Sequence, residues 1–277
     1  MSIAKITGKK TMVHEHATEF MASRSVFIIL FTLFLIPFVR FDYSWTVYVL
    51  IYFTSILVVA GGIYINKSLR HGEISVIGPL QNLSPVFLLV IAYFILGETP
   101  SLRQLFGIFL LMLGAYSLEV GITKKGFLEP IRVFFKSKII HYLIFALVVF
   151  SFTATLDKFI VLNYADFLSY YFLLSLFKSV NYIALDVYRF GWKDIQRDVK
   201  KDFKILFGGG LALFLSHLSY FVAVSFPNAM ISLIIPIKRM STLFTTILGG
   251  KLFKERNLLI KVLSCIIMIW GAVFILL

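Results

Sequence analysis

The sequence predicts an all-α membrane protein, a polytopic bundle of about nine transmembrane helices built from two inverted repeats, with four helices in the first and five in the second. Three observations lead there. Of 277 residues, 59% are hydrophobic and only 15% are charged, whereas soluble domains average about 45–50% and about 25%. The apolar residues fall in runs of the length a bilayer demands, roughly 17–25 residues. And the chain contains itself twice. Residues 74–120 lie on residues 231–277 without a gap, pairing Ile74 with Ile231, Ser75 with Ser232, Pro79 with Pro236, Ser84 with Ser241, Glu98 with Glu255, Gly114 with Gly271 and Ala115 with Ala272.

The nine spans run over 17–39, 45–65, 74–96, 102–120, 139–162, 167–185, 203–225, 229–253 and 258–277. Most are uniformly apolar and too long for strands, which makes them helices. The first is interrupted by Glu19 and Arg24, the fifth by Asp157 and Lys158. Connections are short except 121–138 and 186–202. The second interleaves Lys193, Arg197, Lys200 and Lys201 with Asp194, Asp198 and Asp202. That pattern predicts a solvated helical connection at the membrane edge; a regulatory or lipid-headgroup site is the sharper alternative. The organisation that follows is a first repeat over 1–121, N-terminally incomplete, a basic linker over 122–138 and a second repeat over 139–277.

The net charge of +13 does not imply nucleic acid, because the basic residues sit in the connections. When the connections are assigned to alternate faces, one face collects about twenty Lys and Arg. The other has Arg40 and Arg103 and little else. The positive-inside bias then puts the N-terminus in the cytoplasm and the C-terminus outside. The turns at Glu98 and Glu255 fall on opposite faces, so the duplication is inverted. The one cysteine, Cys265, excludes an intrachain disulfide and a cysteine-built metal site.

Each repeat has a proline within a helix and a helix end bearing Glu (Leu96-Gly97-Glu98-Thr99; Phe253-Lys254-Glu255-Arg256). A helix with a late glycine follows (Leu113-Gly114-Ala115; Trp270-Gly271-Ala272). This pattern resembles the EamA family of the drug/metabolite transporter superfamily, over nearly the whole chain. The resemblance implies two five-helix units, ten helices in all, and a cytoplasmic C-terminus; the charge count points the other way on sidedness. It also locates a deficit. Ser2 and Lys9 match Ser151 and Lys158 in the second repeat, so Met1 falls within what would be the first helix. The expectation is a longer natural chain, against a truncated gene or a genuine nine-helix form.

Internal duplication in membrane proteins places the substrate path where repeats meet. The repeats set Gln81 and Asn82 against Lys238 and Arg239, each pair near mid-span and just after Pro79 or Pro236. A proline removes one backbone hydrogen bond, which a membrane tolerates only against protein or a wet cavity. A charge at helix centre costs roughly 2.5–3.5 kcal/mol, so Lys238 and Arg239 need a cavity, a counter-charge or a substrate. Arg suits a carboxylate or phosphate through its bidentate fork; an internal ion pair or snorkelling is the alternative. The candidate substrate-binding residues are Gln81, Asn82, Lys238, Arg239, Arg24, His217 and Tyr220, and the hinges are Pro79 and Pro236. His217 and Tyr220 share a helical face with Ser216, where helix–helix hydrogen bonds are the competing reading. Asp157 beside Lys158 reads as a helix end more readily than as a proton relay. His14, Glu15 and His16 have no distinctive metal-ligand spacing, and no metal or cofactor is expected.

No Gly-rich phosphate loop, Ser-His-Asp arrangement or HExxH motif is present, so the reading is not an enzyme. The expected function is secondary transport of small metabolites — amino-acid-like, nucleoside-like or other small organic solutes — by alternating access through a central cavity between inverted repeats. The alternatives are a flippase for a lipid-linked or phosphorylated headgroup, and a non-transporting integral-membrane subunit or enzyme. The partners expected are a small-molecule substrate and the bilayer, without nucleic acid, in a multi-pass protein of the plasma membrane; a homodimer is left open.

Overall fold

A computed structural model describes residues 17–71, 77, 80–120, 138–240 and 258–276. Among them are ten α-helices, one 3-10 turn and no strand. The helices are α1 (Ala17–Leu33), α2 (Trp45–His71), α3 (Ser84–Leu96), α4 (Leu102–Val120), α5 (Lys138–Asn163), α6 (Phe167–Phe190), α7 (Trp192–Lys201), α8 (Phe203–Val224), α9 (Ile231–Arg239) and α10 (Leu258–Leu276). Three helical stretches, Trp45–His71, Ile139–Asn163 and Phe203–Val224, are long and apolar enough to cross a membrane. Large apolar side chains such as Phe34, Phe94 and Leu102 are 72%, 79% and 86% exposed. A water-soluble protein does not leave so much apolar surface uncovered; lipid is the solvent these faces fit.

Prolines and glycines set the breaks. Pro37 ends α1 at Leu33 and starts the 3-10 turn Ile36–Phe38, six residues earlier than the apolar run predicts. Its ring takes away the amide that would continue the ladder. Gly97, at φ 65°, closes α3 in a left-handed conformation that costs other residues about 1 kcal/mol. Gly191, at φ 85°, separates α6 from α7. Asp166 caps α6, its carboxylate accepting from the backbone N–H groups of Leu168 and Ser169 at 3.1 and 3.0 Å.

The third span departs most from expectation. Residues 80 and 81 are helical, Asn82 and Leu83 form a turn, and α3 begins only at Ser84. Pro85 sits in the first turn of α3, where a missing N–H is harmless. The eighth span likewise yields the short α9, which contains Pro236 and ends at Arg239 with Met240 in a turn. In the repeat alignment Asn82 and Arg239 are equivalent, so the two segments stop within one position of each other.

The chain forms two compact units, Met1–Asn66 with Leu156–Asn228, and Lys67–Thr155 with Ala229–Leu277. Each takes residues from both halves of the sequence. In the first unit α1 packs on α6 and α8, on α8 through Phe27 and Phe31, which meet the rings of Phe207 and Phe214 edge-on or tilted. In the second, α4 and α10 approach backbone to backbone. A Cβ on Gly271 would lie 2.7 Å from the Leu111 nitrogen and 2.8 Å from the Gly107 carbonyl oxygen, and one on Gly114 2.8 Å from the Ser264 oxygen. Small residues at membrane helix crossings work in this way. Ile108, Leu111, Ala115, Met268 and Ile275 form the core around the crossing.

Candidate functional site

The second unit brings together three of the sequence-predicted residues. Asn82, Pro236 and Arg239 line one narrow cleft with Pro85, Leu111, Met112 and Ala115. Asn82 is only 2% exposed, yet neither its amide nitrogen nor its amide oxygen has a hydrogen-bond partner. Burying an amide without partners costs about 1–3 kcal/mol. Arg239 reaches the cleft from α9 and donates from Nη2 to the Ser84 hydroxyl at 2.9 Å. The Ser84 carbonyl in turn accepts from the Ser151 hydroxyl on α5 at 3.3 Å. The guanidinium is therefore steered by a short polar chain at the start of α3. Gln81 is buried and Lys238 half-buried, and both have interactions of their own.

α9 is fixed by Glu98, which sequence reasoning took as a repeat marker with no assigned role. Its carboxylate accepts from the backbone N–H of Ile231 at 2.7 Å, from that of Ser232 at 3.0 Å and from the Ser232 hydroxyl at 2.6 Å. Met230, the local cap residue, offers no side-chain acceptor. A carboxylate 133 residues away thus supplies the cap, and its charge lies where the helix dipole favours an anion. This anchors the N-terminus of the helix whose other end carries Lys238 and Arg239.

The first unit holds the remaining candidates. Arg24 on α1 stacks over the Phe20 ring at 5.1 Å and donates from Nη2 to the Met21 sulfur at 2.8 Å, while its Nε is buried without a partner. Tyr220 donates to Asp157 Oδ2 at 3.2 Å, and Tyr170 donates to Asp157 Oδ1 at 2.6 Å. Asp157 is 7% exposed and lies inside α5, so it does not mark a helix end. The ring of His217 lies 6.5 Å from that of Tyr171, whose hydroxyl donates to the Phe214 carbonyl at 2.9 Å. A polar seam on α6 was missed. Tyr171, Ser175, Lys178, Tyr182 and Asp186 are all buried, and their three-to-four-residue spacing in an apolar span was the available signal. Pro79, Glu255 and the His14–His16 group lie outside the described residues.

A broken helix at mid-span, an orphaned amide and a guanidinium bonded to Ser84 meet in this corner. Residues 1–119 match the EamA-like transporter family. The resemblance drawn from the repeat motifs is borne out over that stretch. No curated protein matches the chain.

Proposed function

We propose that this EamA-like protein is a secondary transporter of small metabolites, working by alternating access with its two sequence repeats in inverted orientation, four helices in the first and five in the second. The observation that carries the reading is the buried, unpartnered amide of Asn82 beside Arg239. A ligand with a carbonyl or hydroxyl would satisfy Asn82, and an anionic group such as a carboxylate would take the Arg239 fork. Amino-acid-like and nucleoside-like solutes carry such groups. Interruptions of membrane helices at a substrate site are a recurrent transporter device, because the freed backbone groups are tolerated only against protein or a cavity. Asp157, held by Tyr170 and Tyr220, is the membrane carboxylate suited to carry a coupling proton. The plasma membrane is the location that fits nutrient or metabolite exchange.

The test is counterflow in proteoliposomes loaded with pools of amino acids, nucleosides and organic anions. The wild type accumulates at least one class, and Arg239→Ala reduces that accumulation at least tenfold while Arg239→Lys retains part of it. Absence of movement of every pool, with folded protein in the vesicles, refutes the proposal. Movement of a fluorescent lipid between leaflets instead would favour the headgroup flippase.

A further inference from the structure

Away from Asn82 and Arg239, the first unit collects four carboxylates where α1, α6 and α7 meet. One carboxylate oxygen from each of Glu19, Asp194 and Asp198 lies within 4.8 Å of the others. Oxygens on opposite sides of a calcium-sized ion are about 4.8 Å apart, since each bond is about 2.3–2.6 Å. Arg197 straddles two of them, its Nη2 lying 2.5 Å from Asp194 Oδ1 and 3.0 Å from Asp198 Oδ1. It leaves Asp194 Oδ2 and Asp198 Oδ2 buried without hydrogen-bond partners.

Asp186 supplies a separate observation. It is fully buried at 0% exposure, and neither of its carboxylate oxygens has a hydrogen-bond partner. The acidic groups that act on it are Glu19, Asp194 and Asp198, with Arg189 the opposing cation. Asp198 is itself held above the usual carboxylate range, first by burial and also by Asp194, against the pull of Arg197 and Lys201. A buried carboxylate costs several kcal/mol unless it is paired or coordinates a metal. The donor atoms that Glu19, Asp194 and Asp198 bring together are all hard oxygens.

We propose that Glu19, Asp194 and Asp198 form a binding site for one hard divalent cation of the calcium or magnesium type, with the buried charge of Asp186 beside it. The ion would join α7 to the start of α1, on the face that carries the basic connections. Its role is structural or regulatory and does not depend on the substrate.

The test is Mn2+ titration of the full chain in nanodiscs, read by loss of the free-ion electron paramagnetic resonance signal, with Ca2+ and Mg2+ as competitors. The wild type is expected to take up one Mn2+ per chain with a Kd below about 1 mM, and the thermal unfolding temperature should rise with the ion. Asp198→Asn should weaken binding at least tenfold, and Asp186→Asn, which removes a neighbouring charge, should weaken it less. Asp194→Asn, on the more exposed side of α7, serves as the variant least at risk of misfolding. Arg197→Gln should retain or tighten binding, because the competing cation is gone. Folded wild type that takes up no Mn2+ at 5 mM, about five times that limit, overturns the proposal. So does binding that is unchanged in Asp194→Asn and Asp198→Asn.

Discussion

Replacement of Glu98 by alanine should be among the most damaging single changes in the second unit, although Glu98 lies in a turn. The carboxylate serves two backbone amides and one hydroxyl at 2.6–3.0 Å. Hydrogen bonds to a charged group contribute about 1.5–3 kcal/mol each, and a buried donor left alone costs about 1–3 kcal/mol. The charge adds about 0.3–1 kcal/mol through the dipole of α9. The terms are not additive, and water will reach some of the freed amides, so the net loss for Glu98→Ala is about 3–5 kcal/mol. Glu98→Gln keeps one acceptor but turns an NH2 towards a donor, and should cost about 1.5–3 kcal/mol. Ser232→Ala removes a single bond and should cost about 1 kcal/mol. The assay is reversible unfolding in mixed micelles, run as a double-mutant cycle. Ser232→Ala should cost less in the Glu98→Ala background, by about 0.5–1.5 kcal/mol. A cost for Glu98→Ala under about 0.5 kcal/mol, or strict additivity with Ser232→Ala, would show that the contact does not hold α9 in place.

Gly271→Val should force α4 and α10 apart, because a Cβ there meets backbone at 2.7 and 2.8 Å; unfolding in micelles should show a loss of about 3 kcal/mol. Gly208→Ala, with nothing within 4 Å of the added carbon, should be neutral or stabilising by up to about 1 kcal/mol in the same assay. Asp166 is pulled below its usual value of 3.8: burial opposes this, but hydrogen bonds from Ser169, Tyr43 and the Leu168 backbone outweigh it. Its contribution is therefore complete above that value and disappears as the pH falls through the lower folded-state pKa. Asp166→Asn should flatten this acid limb in unfolding curves taken from pH 7 to pH 2. Asp157→Asn should abolish the dependence of uptake on a pH gradient while counterflow persists, and an unchanged response to the gradient would remove Asp157 from coupling.

The sequence disclosed helix positions well because bilayer length and apolar composition are strong, local constraints. The starts of the second, fourth, sixth and seventh spans coincide with helix starts. The connection rich in alternating charges became α7, with Ile195 and Asp198 buried. The failures were of another kind. The run over 74–96 stays apolar on both sides of Gln81 and Asn82, so its length reads as one helix; Pro79 and Pro85 signal a break without fixing it at Asn82 and Leu83, and proline is also at home in a first helical turn. Asp157 looked like a helix end because charge usually marks one, whereas Tyr170 and Tyr220 keep it inside. Those partners lie 13 and 63 residues away, beyond what periodicity can pair. Equal depth from the repeat alignment did bring Asn82 and Arg239 to one cleft.

Duplicated residues and diverged residues therefore do different work. Gly114 and Gly271, equivalent in the alignment, both serve the α4–α10 crossing, where any side chain would collide with backbone. Ser84 has two roles, as part of the first turn of α3 and as the acceptor for Arg239. Asn82 and Arg239 occupy one alignment position with opposite chemistry, a neutral amide with both polar atoms idle and a permanent cation that donates to the Ser84 hydroxyl. Had both been arginine, two cations, one of them buried, would share a cleft lined otherwise by Pro85, Leu111, Met112, Ala115 and Pro236, at a cost of several kcal/mol with no acid among the lining residues. Had both been asparagine, an anionic group would find no charge to meet. Asymmetry at this one position gives the cleft a cationic side and a neutral hydrogen-bonding side. A solute carrying an anionic group next to a carbonyl or hydroxyl matches both at once, which is why exchanging the pair, as Asn82→Arg with Arg239→Asn, should preserve binding better than either change alone.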